Sequence, residues 1–205
     1  METDLEPKQK ARGRTRTFDN DKTLDVAIQS YWSKGPTQVS VNEICTLAGV
    51  SKPSLYREFN NEDGLMAASL ERYADQVLSH VLGLLAKDQD FQQVLDSLVD
   101  YALRQPTESA PAGCLFAKMR LDESILGPRT NQVIETLRES AISAFAKWLA
   151  KAKDQEGVVM PASIAVSAAY LDDQLTHLAN RMSNGENVDA LRGQAKIAFS
   201  AFKSG

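Results

Sequence analysis

Residues 40–65 read SVNEICTLAGVSKPSLYREFNNEDGL, and the fold is decided there. Ser40 is a good N-cap, and Glu43 stands three residues on, where it completes a capping box. Ile44, Leu47 and Ala48 predict one apolar face for a short helix. Gly49 follows where a helix end calls for left-handed dihedrals, and Val50 supplies an apolar plug for the turn. Ser51 caps a second helix, with Pro53 in its first turn, where the missing N–H costs nothing. Leu55 and Phe59, four apart, point inward, which leaves Lys52, Ser54, Tyr56 and Arg57 outward. A short helix, a glycine turn and a polar second helix are what reading a DNA major groove requires. The N-terminal end of such a helix faces base edges. Lys52 and Ser54 are placed there, Tyr56 suits a thymine methyl or a phosphate, and Arg57 a phosphate or a base.

The rest of the chain fits an all-α protein. With 205 residues, 43% hydrophobic and 24% charged, it has the composition of a globular protein that buries a core. No apolar run approaches a membrane span and the N-terminus is not a signal peptide, so a cytoplasmic protein without a membrane partner is expected. Cys45 and Cys114 form neither a disulfide nor a metal pattern. The net charge of −4 is unevenly spread. Lys8, Lys10, Arg12, Arg14 and Arg16 crowd residues 8–18 without an acid, whereas beyond residue 60 there are 14 basic and 19 acidic side chains. The basic end therefore lies in front of the helix-turn-helix, as expected of a chain with one DNA-facing end.

Three parts are expected: a basic arm over 1–17, a three-helix DNA-binding domain over 18–65, and a larger helical domain over 66–205. Apolar periodicity predicts helices over 20–34, 61–85, 91–104, 114–121, 128–152, 161–183 and 188–203, besides the two of the motif. Arg12 and Arg14, flanking Gly13, suit a narrow A·T-rich minor groove; a solvated tail is the alternative.

Other chemistry finds little support. There is no nucleophile elbow, phosphate loop or zinc motif, His80 and His177 lack metal spacing, and Asp172-Asp173 reads as solvated or interfacial. Neither enzymatic activity nor a cofactor is expected. Cys114, near a predicted helix start and followed by Lys118 and Arg120, reads as a packed thiol or as a reactive one.

The run AGVSKPSLYREF, followed by Leu65, resembles the signature of TetR-type transcriptional regulators, roughly AGVSxGxLYxxFxxKxxL. Upstream, TLDVAIQSYWSKG is similar to that family's first helix, and RGRTRTFD with AGCLF resembles a subset carrying an RGR arm and a GCL segment. Two positions depart from the pattern. Glu62 stands where the family has a phosphate-binding lysine, and Pro36 where it tends to have an aromatic. The resemblance implies a homodimeric repressor on a palindromic operator in double-stranded DNA, released by a small ligand. It implies DNA contacts by Ser40, Ser51, Lys52, Pro53, Ser54, Tyr56 and Arg57, with Arg12 and Arg14 in the arm. It also implies a dimer interface from the last two helices, for which Ile164, Ala165, Ala168, Leu171, Leu175, Leu178, Phe199 and Phe202 are candidates. Cys114, Phe116, Met119, Trp148 and Tyr170 are candidates for lining the ligand pocket. The rival readings are a thiol sensor acting through Cys114 and a helical protein that merely retains the motif.

Overall fold

The computed structural model describes residues 18–108 and 110–203, so the basic arm with Arg12 and Arg14 lies outside the described residues. Within them the protein is all-α. The helices are α1 (Asn20–Lys34), α2 (Val41–Ala48), α3 (Lys52–Phe59), α4 (Glu62–Leu85), α5 (Phe91–Ala102), α6 (Leu115–Leu121), α7 (Pro128–Glu156), α8 (Ile164–Ser183) and α9 (Val188–Phe199). Side chains cap most of the starts: Asp19, Ser40, Ser51, Asn61, Asp90, Ser163 and Asn187 each accept a backbone N–H three residues on.

The late helices end differently from expectation. α7 continues to Glu156, stopped by Gly157 at φ 70°. α8 begins only after Ser163, and α5 ends at Ala102. α9 stops at Phe199 because the chain turns back: Lys203 and Val159 exchange backbone hydrogen bonds of 2.8 and 3.2 Å, and Phe202 is buried.

Two apolar cores meet along α4. The first gathers Leu24, Ile28 and Tyr31 of α1, Ile44 of α2, Leu55 and Phe59 of α3, and Leu65 and Leu70 of α4. It also takes in Leu115 and Met119 of α6 and Ile134 of α7. The second is built from α5, α7, α8 and α9 around Leu95, Leu98, Leu149 and Leu171. Phe199 and Phe202 lie inside it, as do Ala168, Leu171 and Leu178, so these side chains stabilise their own subunit and are not available to a partner. Leu47 is a further correction. It is 56% exposed, because the buried face of α2 runs through Val41, Ile44, Cys45 and Ala48. The capping box at Ser40 is half made: Ser40 Oγ accepts the Glu43 N–H at 3.2 Å, while the Glu43 carboxylate pairs with Lys34 of α1.

The first turn of α4 is clasped to the start of α7. α7 begins Gly127-Pro128 with no side-chain cap of its own. Asp63 supplies one from α4: its carboxylate accepts the Arg129 N–H at 2.9 Å, the Thr130 N–H at 3.0 Å and the Thr130 hydroxyl at 2.6 Å. An anion at a helix N-terminus also favours the macrodipole. Gly127 is required by closeness, since a Cβ there would stand 2.3 Å from Asp63 Cγ. Burial pushes the Asp63 carboxyl up, but the bonds from Thr130 and Arg129, with the Arg129 charge, outweigh it and hold the group below its ordinary value.

A carboxyl depressed on folding contributes stability that is full above its unfolded pKa and lost as pH falls through the folded value. Asp63→Asn should therefore cost about 0.5–2 kcal/mol near neutral pH, by loss of a cap. Its gap from the parent should close as pH drops below about 4 in a series of thermal melts. Equal melting temperatures at pH 7 would show that the clasp carries no stability.

Candidate functional site

The helix-turn-helix is built as a rigid unit. Gly49 takes φ 74°, ψ 33°, and both its N–H and that of Val50 return to the Cys45 carbonyl, at 2.9 and 3.0 Å. Ser51 opens α3 by accepting the Ser54 N–H at 3.2 Å and donating to the Ser54 hydroxyl at 2.9 Å. Leu55 is fully buried and Phe59 nearly so, which fixes the rotation of α3. Ser40, Ser51, Lys52, Pro53 and Arg57 are exposed as a result, with Ser54 and Tyr56 half-buried. The seven candidate side chains of the motif thus lie along the start of α2 and the outer side of α3. Lys52 sits over the Tyr56 ring, Nζ 5.2 Å from its centroid.

Glu62 has a contact that sequence reasoning missed. The Tyr56 hydroxyl donates to Glu62 Oε1 at 3.2 Å, so the residue in the place of the family lysine holds one of the candidate reading side chains. A pair six apart across a helix break has no periodic signal. Asn60, at φ 68°, makes that break, and Asn61 then caps α4 through Gly64 N–H at 2.8 Å.

Behind this unit, α4, α5, α6, α7 and α8 enclose a cavity of about 110 Å³. Its wall is largely apolar, with Val77, Leu78, Leu98, Leu137 and Phe145 prominent. Tyr101, Arg104, Cys114, Asp172 and Thr176 are the residues on it that carry polar groups or a thiol. Of the five candidates, Cys114 and Phe116 line the cavity. Met119 is fully buried in the N-terminal core. Trp148 stacks on Phe91 at 4.8 Å and lines a separate, more open cavity between α4 and α7, and Tyr170 donates its hydroxyl to the Ala198 carbonyl at 2.9 Å; neither is among the residues that line this cavity.

The neighbours of Cys114 are not those its sequence suggests. Lys118 Nζ donates to the Trp32 carbonyl at 2.7 Å, and burial lowers its pKa. Arg120 turns to Asp172 and Asp173, at 2.8 and 3.2 Å. The expectation of a solvated or interfacial pair is corrected for Asp172: it is only 4% exposed and paired with Arg120 of its own chain, while Asp173 lies at the surface. Burial pushes the Asp172 carboxyl up, and Arg120 opposes this without cancelling it. The group meeting Cys114 is Tyr73, whose hydroxyl donates to Sγ at 3.5 Å. That hydroxyl also accepts the Leu115 N–H and an Arg104 N–H, both at 3.2 Å. Gly113 makes the segment possible: its φ is 74°, and a Cβ there would meet the Ala179 carbonyl at 2.3 Å.

The family model for bacterial regulatory proteins of the tetR family matches residues 24–69, the segment that holds this helix-turn-helix. Residues 24–69 of the chain thus carry the tetR-family segment. The chain is 30% identical over 131 residues to the HTH-type transcriptional repressor ComR of Escherichia coli K12, covering 63% of this chain and 61% of ComR. The chain thus spans about three fifths of the length of that curated relative. Among solved structures, reduced E. coli NemR superposes with a TM-score of 0.78 at 16% identity, over 90% of this chain and 97% of that one. A cysteine mutant of the TetR-family regulator CifR, solved with 26-bp operator DNA, gives 0.76 at 20% identity, over 93% of this chain and all of that one. These likenesses establish a shared fold across both parts of the molecule.

Tyr73 is the test of the cavity rim. Tyr73→Phe should leave the buried Leu115 N–H without its acceptor and cost about 1–3 kcal/mol in a urea titration, with helix content unchanged. A change below about 0.5 kcal/mol would show that another acceptor replaces the hydroxyl.

Proposed function

We propose that this protein is a tetR-type transcriptional regulator, acting as a repressor, that binds a palindromic operator as a homodimer and is released by a small molecule in the central cavity. One observation carries the DNA-binding reading: α3 is capped, pinned by Leu55 and Phe59, and presents Lys52, Ser54, Tyr56 and Arg57 on its outer side. In this reading Lys52 and Ser54 meet base edges, Tyr56 and Arg57 meet base or phosphate, and Ser40, Ser51 and Pro53 approach the backbone. Arg12 and Arg14 of the arm add minor-groove contacts. Residues 18–65 form the DNA-binding part and 66–205 the regulatory and dimerising part.

For the dimer, α8 and α9 pack together and leave small or apolar side chains outward. Val166 is 58% and Ile197 75% exposed, and Ala165 and Gly193 are exposed as well. Small residues allow a close approach of helices from a second subunit. For release, the cavity is walled by the later turns of α4, whose first turn adjoins the reading helix. A ligand acts there only if it binds the two positions of α4 with different affinity. Cys114 supports a second reading, a thiol sensor, because this free cysteine is among the residues that line the cavity. Iodoacetamide that releases DNA from the parent but not from Cys114→Ser would favour it.

The test uses genomic fragments retained by the parent protein. Lys52→Ala with Tyr56→Ala should abolish sequence preference, at about 1–3 kcal/mol per base contact, while the dimer stays intact by sedimentation. Undiminished affinity for the selected fragments would overturn this placement of α3.

Glu62 generates a separate prediction. Glu62→Lys should tighten binding and steepen the salt dependence by about one counterion, since it replaces repulsion of a phosphate by attraction. The same change puts a cation at the start of α4 and should lower stability by about 0.3–1 kcal/mol. Glu62→Gln, which keeps an acceptor for the Tyr56 hydroxyl, should give part of the gain. If both variants bind no more tightly than the parent, the start of α4 does not approach the DNA backbone.

A further inference from the structure

Arg104, on the cavity wall, and Arg120, which bonds the wall residues Asp172 and Thr176, are in different states. Arg120 is neutralised: Asp172 and Asp173 meet its guanidinium at 2.8 and 3.2 Å, and Thr176 accepts a further bond at 2.7 Å. Arg104, which lines the cavity directly, is within salt-bridge distance of no carboxylate among the described residues. Its acceptors are neutral, the Tyr101 carbonyl and the Tyr73 hydroxyl, both at 3.2 Å. Its guanidinium carbon lies over the Tyr101 and Trp32 rings, 4.4 and 5.3 Å from their centroids. A guanidinium has five N–H groups, and these two bonds use two of them. An oriented, half-buried cation beside an apolar cavity is arranged to take a planar anion through paired N–H bonds.

Size limits what comes with that anion. A cavity of about 110 Å³ is somewhat smaller than the ~150 Å³ that accommodates benzene in a protein interior. The apolar body is therefore no larger than one ring or a chain of about six carbons, with the head group at the rim. Building on the effector reading of this cavity, we infer that its ligand is a small organic carboxylate, held by Arg104 at its head and by the apolar wall at its body. A neutral isostere would leave the charge of Arg104 unanswered, and an amine would oppose it. Asp172, already paired with Arg120, makes no competing claim on Arg104.

The experiment titrates the full-length protein with benzoate, benzyl alcohol and benzylamine by calorimetry at neutral pH. Benzoate should bind at least tenfold more tightly than benzyl alcohol, and benzylamine should give no heat of binding. Arg104→Gln should bring benzoate to the level of the alcohol without changing the alcohol, and Arg104→Lys should retain part of the preference. Circular dichroism checks that each variant is folded, and Arg104→Lys keeps the test open if Arg104→Gln is not. Equal binding of acid and alcohol by the parent would overturn the inference and show that Arg104 only stacks on its rings. So would a benzoate preference that survives Arg104→Gln, or no binding of benzoate at millimolar concentration. A different outcome would reach the reading beneath it: if Ala141→Phe, which fills the cavity, leaves benzoate and alcohol binding unchanged, the ligand sits elsewhere and the cavity is not the effector site.

Discussion

Residues 60–64 form the tightest constraint in the molecule, because three helices are positioned through five consecutive residues. Gly64 lies so close to the end of α3 that a Cβ would stand 1.9 Å from the Phe59 carbonyl oxygen. Only glycine allows α4 to start against α3 in this way. Asn60 makes the change of direction at φ 68°, ψ −52°, the centre of a γ-turn closed by the Asn61 N–H on the Phe59 carbonyl at 2.9 Å. Asn61 closes the first turn of α4, and Asp63 reaches across to cap α7. The outward helix α3, the long α4 and the longest helix α7 are thus tied at one point by hydrogen bonds and by the absence of two side chains, at Gly64 and Gly127.

From that point α4 runs 24 residues, about 36 Å, through both cores. Its early side chains Leu65 and Leu70 belong to the N-terminal core, and its later ones Val77, Leu78 and Val81 wall the cavity. α6 has the same double membership. Leu115 and Met119 pack among α1 and α4 side chains, whereas Phe116 and Ala117 face the cavity. Its Lys118 also bonds the Trp32 carbonyl, and the Trp32 indole donates to the Ala112 carbonyl at 3.3 Å. No loose linker separates the helix-turn-helix from what lies behind it. A change in cavity volume must therefore be taken up by helices that the N-terminal core also holds. This is a physical basis for coupling that does not depend on any single chain of contacts.

Much of this was legible from local signals. The caps at Ser40, Ser51 and Asn61, the turn at Gly49 and the inward pair Leu55 and Phe59 are set by residues three or four apart, so a linear reading reaches them. Leu47 misled because a helix of eight residues has room for one buried stripe, and Val41, Ile44, Cys45 and Ala48 fill it. The late phenylalanines misled for a different reason. Apolar spacing shows that a side chain is buried but not whether its cover is the same subunit or another, and here the chain end folds back through Val159 to bury Phe202. Asp63–Thr130, Tyr56–Glu62 and Tyr73–Cys114 pair residues across helix boundaries or different helices. Polar contacts of that kind leave no periodicity to read.

The charge distribution shows the same division. The basic run before residue 18 is visible in composition alone, and so is the acidic excess beyond residue 60. Composition cannot show that the acidic excess is unequally shared by the arginines within it. Arg120 and Arg104 lie sixteen residues apart, in similar apolar surroundings. The first stands where α6 packs on α8 and finds the Asp172-Asp173 pair. The second stands just past the end of α5, against tyrosine and tryptophan rings, and finds neutral acceptors. Removing a carboxylate from a buried pair commonly costs about 3–5 kcal/mol, because the partner charge is left unanswered. Arg104 avoids that penalty by keeping part of its surface accessible and its cation over aromatic rings, and a guanidinium is weakly hydrated to begin with. The same features that make its charge tolerable without an acid keep it available to one.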